Sequence, residues 1–314
     1  MKNARRVLHY ACFGVPVETW SGALASVLPD VELRFEPDRG AAEEIDYILA
    51  WNMPPGFLRA FPRLRAIFSL GAGVEKLLAD TTIPPDIPVV RMVDAGLGRA
   101  MSEFVLMSVL FHHRRMGEFA AQQRAQRWRP LSVPPAEQRT VGVLGLGELG
   151  VASARRLVEQ GFRVRGWARR ERRIEGIDVF AGDLEFSAFL SGCEILVCLL
   201  PLTVETRGIL NSTTIARLPH GAALINVARG GHLVEDDLIA ALDEGRLSAA
   251  TLDVFETEPL PAGHRFWSDP RITIIPHSAA LTEPPTAARR IAENIALDAK
   301  GEAMKWVVDR TAGY

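Results

Sequence analysis

Apolar and polar positions along the chain fall into short runs separated by turn formers. RRVLHYAC (5–12), IDYILA (45–50), RAIFSL (65–70) and PVVRMV (88–93) are apolar stretches of strand length, bounded by Pro, Gly or polar clusters, with a helical stretch at 17–28 among them. Such alternation predicts a small α/β domain with a parallel sheet. Residues 102–126 then read as one long helix, apolar almost all round in its first half. A helix of that kind is buried on several sides and belongs at a domain or subunit interface. The Pro-rich WRPLSVPPAEQR (128–139) reads as a connector. Six more strand-like runs alternate with helical segments: VGVLG (141–145), RVRGWA (163–168), ILVCLL (195–200), AALINVA (222–228), AATLDVF (249–255) and RITIIP (271–276). A last helix, 284–300, opens on Pro284-Pro285 and closes at Gly301.

The pattern therefore predicts an α/β protein of two doubly wound parallel-sheet domains. A flavodoxin-like substrate domain takes residues 1–98 and is completed by 283–314, because the last helix packs back onto it. A Rossmann-type cofactor domain, 99–282, is inserted in it.

Composition narrows the partners. The chain has 314 residues, too many for one ordinary core. Its net charge of −2 gives no global reason to bind nucleic acid or an anionic membrane. Cys12, Cys193 and Cys198 are too few and odd in number for a disulfide framework, and read as buried thiols in a reducing compartment. No apolar run approaches the ~18 residues of a spanning helix, and the N-terminal MKNARRVLHYACFG lacks the pattern of a signal peptide. The expected location is cytoplasmic. His112 and His113 are adjacent on a helix and point about 100° apart, unlike a metal-binding i, i+4 pair, so no metal site is expected.

Against that near-neutral background, RVRGWARRERR (163–173) packs in six arginines. Its meaning depends on TVGVLGLGELG (140–150), where Gly145, Gly147 and Gly150 stand in G-x-G-x-x-G spacing between a strand and a helix. Gly145 permits the turn, Gly147 lets the backbone approach a pyrophosphate, and Gly150 lets the helix pack close to the sheet. The helix N-terminus supplies free N–H groups to the phosphates. An NAD-binding unit of this type ends its second strand on Asp or Glu, which bonds the ribose 2′-hydroxyl. Here that position is Ala168, followed by Arg169 and Arg170. Without a carboxylate a 2′-phosphate is not repelled, and a guanidinium can grip it through two hydrogen bonds. Those two arginines point to NADPH, with NADH as the weaker cofactor. Arg163, Arg165, Arg172 and Arg173 read as solvated surface.

Three further stretches lie at strand ends of the cofactor sheet, where open α/β sheets assemble their sites: NVARGGHLVEDDLIAAL (226–242), LDVFETEPLP (252–261) and PHSAAL (276–281). Singly, their Arg, Glu and His have ordinary structural explanations. Jointly they suit reduction of a 2-oxo acid. Arg229 can hold the anionic substrate, His277 can protonate the carbonyl oxygen, and Glu258 can orient the imidazole and favour its charged form.

On GLGELG, NVARG, LDVFETEPL and PHSAA, in that order, the chain resembles the D-isomer-specific 2-hydroxyacid dehydrogenases over essentially its whole length. SLGAGVEKLL (69–78), LPLTVETRGILN (200–211), VDRTAGY (308–314) and the W-x-R element from Trp167 to Arg169 resemble most the bacterial glyoxylate/hydroxypyruvate reductase A branch, where W-x-R goes with NADPH. The resemblance implies that Arg229, Glu258 and His277 are catalytic and that Asp253 accepts from the nicotinamide carboxamide. It further implies cofactor contacts at Met101, Glu148, Leu149, Leu200, Pro201, Val227 and Ala228. Backbone N–H groups of Gly71, Ala72 and Gly73 would meet the substrate carboxylate, small residues allowing close approach, with Trp51 beside it. The implied assembly is a homodimer through helix 102–126. Two positions depart from the branch: Thr282-Glu283 where Thr-Arg is usual, and Asn52 where His is expected. The first exchange bears on substrate choice. The expected activity is NADPH-dependent reduction of small 2-oxo acids, glyoxylate to glycolate and hydroxypyruvate to D-glycerate. The alternatives are a bulkier 2-oxo acid such as phenylpyruvate, or a dinucleotide-sensing, corepressor-like binding protein.

Overall fold

The computed structural model describes residues 5–311 and 313. The chain divides into two compact units, one holding residues up to Leu97 together with those from Leu281 onward, the other holding Gly98–Ala280.

The first unit is built on five parallel strands, β1 (Arg6–Cys12), β2 (Val31–Phe35), β3 (Tyr47–Trp51), β4 (Ala66–Ser69) and β5 (Val89–Val90), in the order β2-β1-β3-β4-β5. Its helices are α1 (Glu18–Val27) and the single turn α2 (Glu75–Leu78). Central strands covered on both faces read as continuous apolar runs, and β3 and β4 are buried at nearly every residue. β2 lies at the edge with only Val31 buried, so its VELRF lacks such a run and does not stand out in the sequence.

The second unit carries seven parallel strands: β6 (Thr140–Leu144), β7 (Arg163–Ala168), β8 (Asp178–Ala181), β9 (Ile195–Cys198), β10 (Ala222–Asn226), β11 (Leu247–Leu252) and β12 (Ile272–Ile274). Their order is β12-β11-β10-β9-β6-β7-β8. The order reverses at β6, and a sheet of this kind binds ligands outside the carboxyl ends of strands at such a switch point. The edge strand β8 is half-exposed and is likewise absent from the expected set. The helices from the middle of the chain onward are α3 (Ala95–His113), α4 (Met116–Arg124), α5 (Glu148–Glu159), α6 (Gly182–Leu190), α7 (Ser212–Ala216), α8 (Glu235–Asp243) and α9 (Pro284–Ala299).

The helix expected over 102–126 is two helices and starts earlier. α3 already begins at Ala95, and the chain breaks at Arg115, whose φ of 58° is left-handed and cannot continue a right-handed helix. Val105 and Val109 of α3 are fully buried, while Met107, Met116, Phe119 and Trp128 are exposed. All three cysteines are free and buried.

α9 belongs to the first unit, where Ala287, Ala288, Ile291 and Ile295 join the core around Trp20, Leu24 and Phe68. Its end is tied down by charge. Arg65 grips Asp298 through two bonds of 2.7 and 2.8 Å, Tyr47 donates to the same carboxylate at 2.5 Å, and Arg6 adds a third donor residue. Burial pushes the Asp298 carboxyl up, but these donors outweigh it and hold it at about 2.

Candidate active site

The turn from β6 into α5 is shaped by its glycines. Gly145 has φ +105°, and a Cβ there would lie 2.8 Å from the Leu199 carbonyl oxygen. One on Gly150 would overlap the Gly145 oxygen at 1.8 Å. A Cβ on Gly147 would meet nothing within 4 Å, so open space lies in front of the first turn of α5. The N–H groups of that turn have no intrahelical acceptor. Space, unpaired N–H groups and the positive end of a twelve-residue helix together fit a pyrophosphate. Glu148 is exposed in this turn, and Leu149 packs on the core beneath it.

β7 ends on half-buried Ala168, and Arg169 and Arg170 are exposed just beyond it. The Thr203 hydroxyl is the main reason the Glu205 carboxyl lies below its ordinary range, and the charge of Arg169 adds to it, which sets Arg169 near the loop after β9. Two other arginines of this stretch are not simply solvated. Arg165 lies over the Phe180 ring at 5.3 Å and donates to the Ala188 oxygen at 3.0 Å. Arg172 donates to the Leu146 oxygen inside the glycine turn. Trp167 is a core side chain: its indole N–H donates to the Gly182 oxygen at 3.0 Å and its ring meets Phe186 edge-on. It orders the strand end from within. Leu200, Val227, Ala228 and Met101 are buried, and Pro201 is half-buried, at or near the ends of β9 and β10 or, for Met101, on α3.

Arg229, Glu258 and His277 all belong to this second unit. His277 Nδ1 lies 2.7 Å from Glu258 Oε2, while Glu258 Oε1 accepts from the Phe255 N–H at 3.0 Å. Nδ1 is thus the donor toward the carboxylate, and Nε2 is left for other work. Burial raises the Glu258 carboxyl, but the His277 bond, the Phe255 N–H and the charges of His277 and Arg229 outweigh it, so it stays ionised at neutral pH. Arg229 donates from Nη1 to the Ala228 oxygen at 2.6 Å.

His277 has φ 51°, an uncommon region for a residue with a Cβ. Asp253 holds it there. The Asp253 main-chain oxygen accepts from the His277 N–H at 2.9 Å, and its Oδ1 accepts from the N–H groups of Ser278 and Ala279 at 2.7 and 3.0 Å. Burial pushes the Asp253 carboxyl up to about 6, against the pull of those two N–H groups. The sequence gives no hint of this clamp, which depends on β11 and β12 being neighbours.

In the first unit, Gly71 backs onto Trp51: a Cβ at Gly71 would lie 2.9 Å from Trp51 Cζ3. Of the three N–H groups expected to face a substrate, that of Gly71 is turned to Ser69 Oγ at 3.3 Å. Those of Ala72 and Gly73 have no hydrogen-bond partner among the described residues. Thr282 donates to the Leu70 oxygen at 2.7 Å, and Glu283 is exposed ahead of α9. Asn52 has φ 48° and accepts from Lys76.

The family profile described as "D-isomer specific 2-hydroxyacid dehydrogenase, NAD binding domain" matches residues 106–279. Glyoxylate/hydroxypyruvate reductase A of Serratia proteamaculans is 45% identical over 303 residues, covering 95% of this chain and 96% of the relative. A D-isomer-specific 2-hydroxyacid dehydrogenase of Xanthobacter autotrophicus, solved with NADPH and MES, superposes with a TM-score of 0.96 at 42% identity, covering 99% of this chain and all of that one. An NADPH-dependent glyoxylate/hydroxypyruvate reductase of Sinorhizobium meliloti, solved with NADP and sulfate, gives a TM-score of 0.92 at 38% identity, with 98% and 100% coverage.

Proposed function

Because this chain belongs to the D-isomer-specific 2-hydroxyacid dehydrogenase family, we propose that it reduces small 2-oxo acids with NADPH, glyoxylate to glycolate and hydroxypyruvate to D-glycerate. The observation that carries this reading is the 2.7 Å pairing of His277 with Glu258 in the unit that also holds Arg229 and the glycine turn.

The residues present fit the cofactor. Gly145, Gly147, Glu148, Leu149 and Gly150 would hold the pyrophosphate, and Arg169 with Arg170 the 2′-phosphate, which favours NADPH over NADH. Leu200, Pro201, Val227, Ala228 and Met101 would line the rest of its path, and the free oxygen of Asp253 would accept from the carboxamide. When bound, NADPH supplies the hydride for the carbonyl carbon.

The chain's own residues handle the charge that this creates. Glu258 holds the imidazole through Nδ1, so Nε2 is the nitrogen left to carry the proton that passes to the carbonyl oxygen as negative charge grows there. Arg229 pairs with the substrate through a planar guanidinium. The N–H groups of Ala72 and Gly73 bind its carboxylate, and Trp51 bounds its size. The enzyme is proposed to be cytoplasmic, in keeping with its free buried thiols. It is further proposed to pair as a homodimer through the 102–126 region, where exposed Met107, Met116, Phe119 and Trp128 offer an apolar surface.

The test is a steady-state panel of glyoxylate, hydroxypyruvate and phenylpyruvate with NADPH and with NADH, followed by nicotinamide absorbance. The expected order has both small acids ahead of phenylpyruvate and NADPH ahead of NADH. Faster turnover of phenylpyruvate would establish the bulkier substrate class. Binding of NADPH without turnover of any 2-oxo acid would establish a sensing protein.

A further inference from the structure

A cleft of about 200 Å³, open to solvent at its mouth, lies in the first unit between α9 and the stretch that follows β5. Buried Phe68 and Ile291 line it together with half-buried Arg91, Arg290 and Trp306. The Trp306 segment runs antiparallel beside β5. Its carbonyl accepts from the Arg91 N–H at 3.1 Å, Val307 is bridged to Val90, and the Val308 N–H donates to the Val89 oxygen at 2.8 Å. The Trp306 indole lies against the Arg290 guanidinium, whose Cζ is 3.8 Å from the ring centroid, and this contact fixes that cation at the wall of the cleft. We propose that the cleft binds a small oxyanion, a phosphate or carboxylate group, between the guanidinium groups of Arg91 and Arg290.

The charges around it do not balance. Arg290 donates to Glu293 Oε2 at 2.9 Å, and Lys305 donates to Oε1 of the same carboxylate. Glu293 thus serves two cations, and their bonds hold its carboxyl below its ordinary range. The Arg91 guanidinium has no hydrogen bond or ion pair among the described residues. Acceptors near it are committed elsewhere. Asn294 donates from Nδ2 to the Arg290 oxygen at 3.0 Å, and its Oδ1 accepts from the Lys305 N–H at 2.7 Å. Asp94, three residues on, accepts from the Leu97 N–H at 2.9 Å and makes no bond to Arg91. One carboxylate therefore answers three cations. A guanidinium offers a planar fork of N–H donors that matches two oxygens of one anion, and Arg290 spends only part of its five donors on Glu293. Size then sets the class of ligand. Drug-sized molecules fill pockets of ~300–1,000 Å³, so this cleft takes a group of a few atoms and not a nucleotide.

The test is isothermal titration of inorganic phosphate into the NADPH-loaded enzyme, repeated with acetate and with chloride at matched ionic strength. Loading with NADPH occupies the glycine turn of the second unit, and Arg229→Met reports on the substrate site. Phosphate or acetate is expected to bind at one site that Arg229→Met keeps and that Arg91→Met weakens by about tenfold or more, the loss of a charge-assisted pair. Tighter binding of phosphate than of acetate would assign the ligand as a phosphate group, and the reverse order as a carboxylate. Arg91→Lys keeps the charge but loses the fork, and its affinity is expected to fall between the two. Because Arg91 holds no other group, Arg91→Met should melt with the wild type in chloride. A lower melting temperature would mean that the guanidinium already has a structural partner, and would overturn the proposal. Equal affinity in Arg91→Met and wild type, or a response that chloride reproduces, would leave an adventitious ion only. Loss of binding in Arg229→Met alone would place the anion at the substrate site. Either result refutes the cleft as an oxyanion site. The readout is binding in the first unit, so it holds whether or not the enzyme turns over a 2-oxo acid.

Discussion

An added methyl at Gly147 would meet nothing within 4 Å, whereas one at Gly71 would lie 2.9 Å from the Trp51 ring. Both glycines follow a parallel strand and precede a helix, but α5 has twelve residues and α2 only four. In the second unit the turn leaves room in front of a long helix, a place where a large anion meets backbone N–H groups and a helix dipole. In the first unit an indole fills the equivalent room and two N–H groups remain. On the proposed reading, one unit recognises by charge and open backbone, the other by two N–H groups and the shape of a single ring. The ionisable chemistry, Arg229, Glu258 and His277, is all in the charged unit.

This contrast can be broken most sharply at His277. His277→Ala is expected to reduce kcat for glyoxylate by ~10²–10⁴-fold, the usual worth of a general acid, with NADPH affinity unchanged by fluorescence titration. Near-normal turnover would move the chemistry out of this unit. Arg169→Ala comes next. Losing a charge-assisted pair should weaken NADPH by about ten- to a hundredfold and leave NADH binding as it was. An equal loss for both cofactors would mean that Arg169 does not read the 2′-phosphate.

The two glycines give the third test. Gly147→Ala should keep the melting temperature, since nothing opposes its methyl, yet weaken both cofactors. Gly71→Ala should displace Trp51 and raise KM for the 2-oxo acid by up to about tenfold, with cofactor binding intact. The reverse assignment of effects would dissolve the comparison.

The smallest expected effect is on stability. Burial pushes His112, which bonds Thr251 Oγ1 at 2.8 Å, down to about 4. Below pH 6.5 the unfolded chain binds a proton that the folded one refuses, so stability falls with pH until about 4. The His112 share of that loss between neutral pH and about pH 5 should be near 1–2 kcal/mol, read as the difference in urea midpoints between the wild type and His112→Gln. Asp253, raised to about 6, works in the opposite sense by a comparable amount over the same range, so the wild-type slope alone is shallow. An unaltered acid slope in His112→Gln would show that His112 is not its source.

Legibility in the sequence followed the same physical divide. Buried strands such as β3, β9 and β10, and the buried edge strand β5, stand out as apolar runs, while β2 and β8, whose residues are mostly half-exposed, do not. The glycine turn is readable because three conformational demands fall at a fixed spacing. The break at Arg115 is not, because its left-handed position holds an arginine in place of the Gly or Asn that usually marks such a turn. At the site, residue types and their strand-end positions pointed to Arg229, Glu258 and His277. What stayed hidden were contacts across the sheet or across a turn. Asp253 clamps the His277 loop, Ser69 takes the Gly71 N–H, and Trp167 turns inward. No spacing rule encodes such pairings, since some depend on which strands lie side by side and others, such as Ser69 with Gly71, on the local course of a turn.

The Arg6–Asp298 contact joins residues 292 positions apart, and it sets an order of events during synthesis. The second unit is one continuous segment, Gly98–Ala280, and has all its strands once that segment has left the ribosome. The first unit has its five strands by Val90, yet Trp20, Leu24 and Phe68 lack their cover until α9 arrives. Through the emergence of about two hundred residues, at ~5–20 residues per second, its apolar face stays open to solvent. The half that is translated first is therefore the half that matures last, and it is the half that holders of exposed hydrophobic surface would meet on the nascent chain.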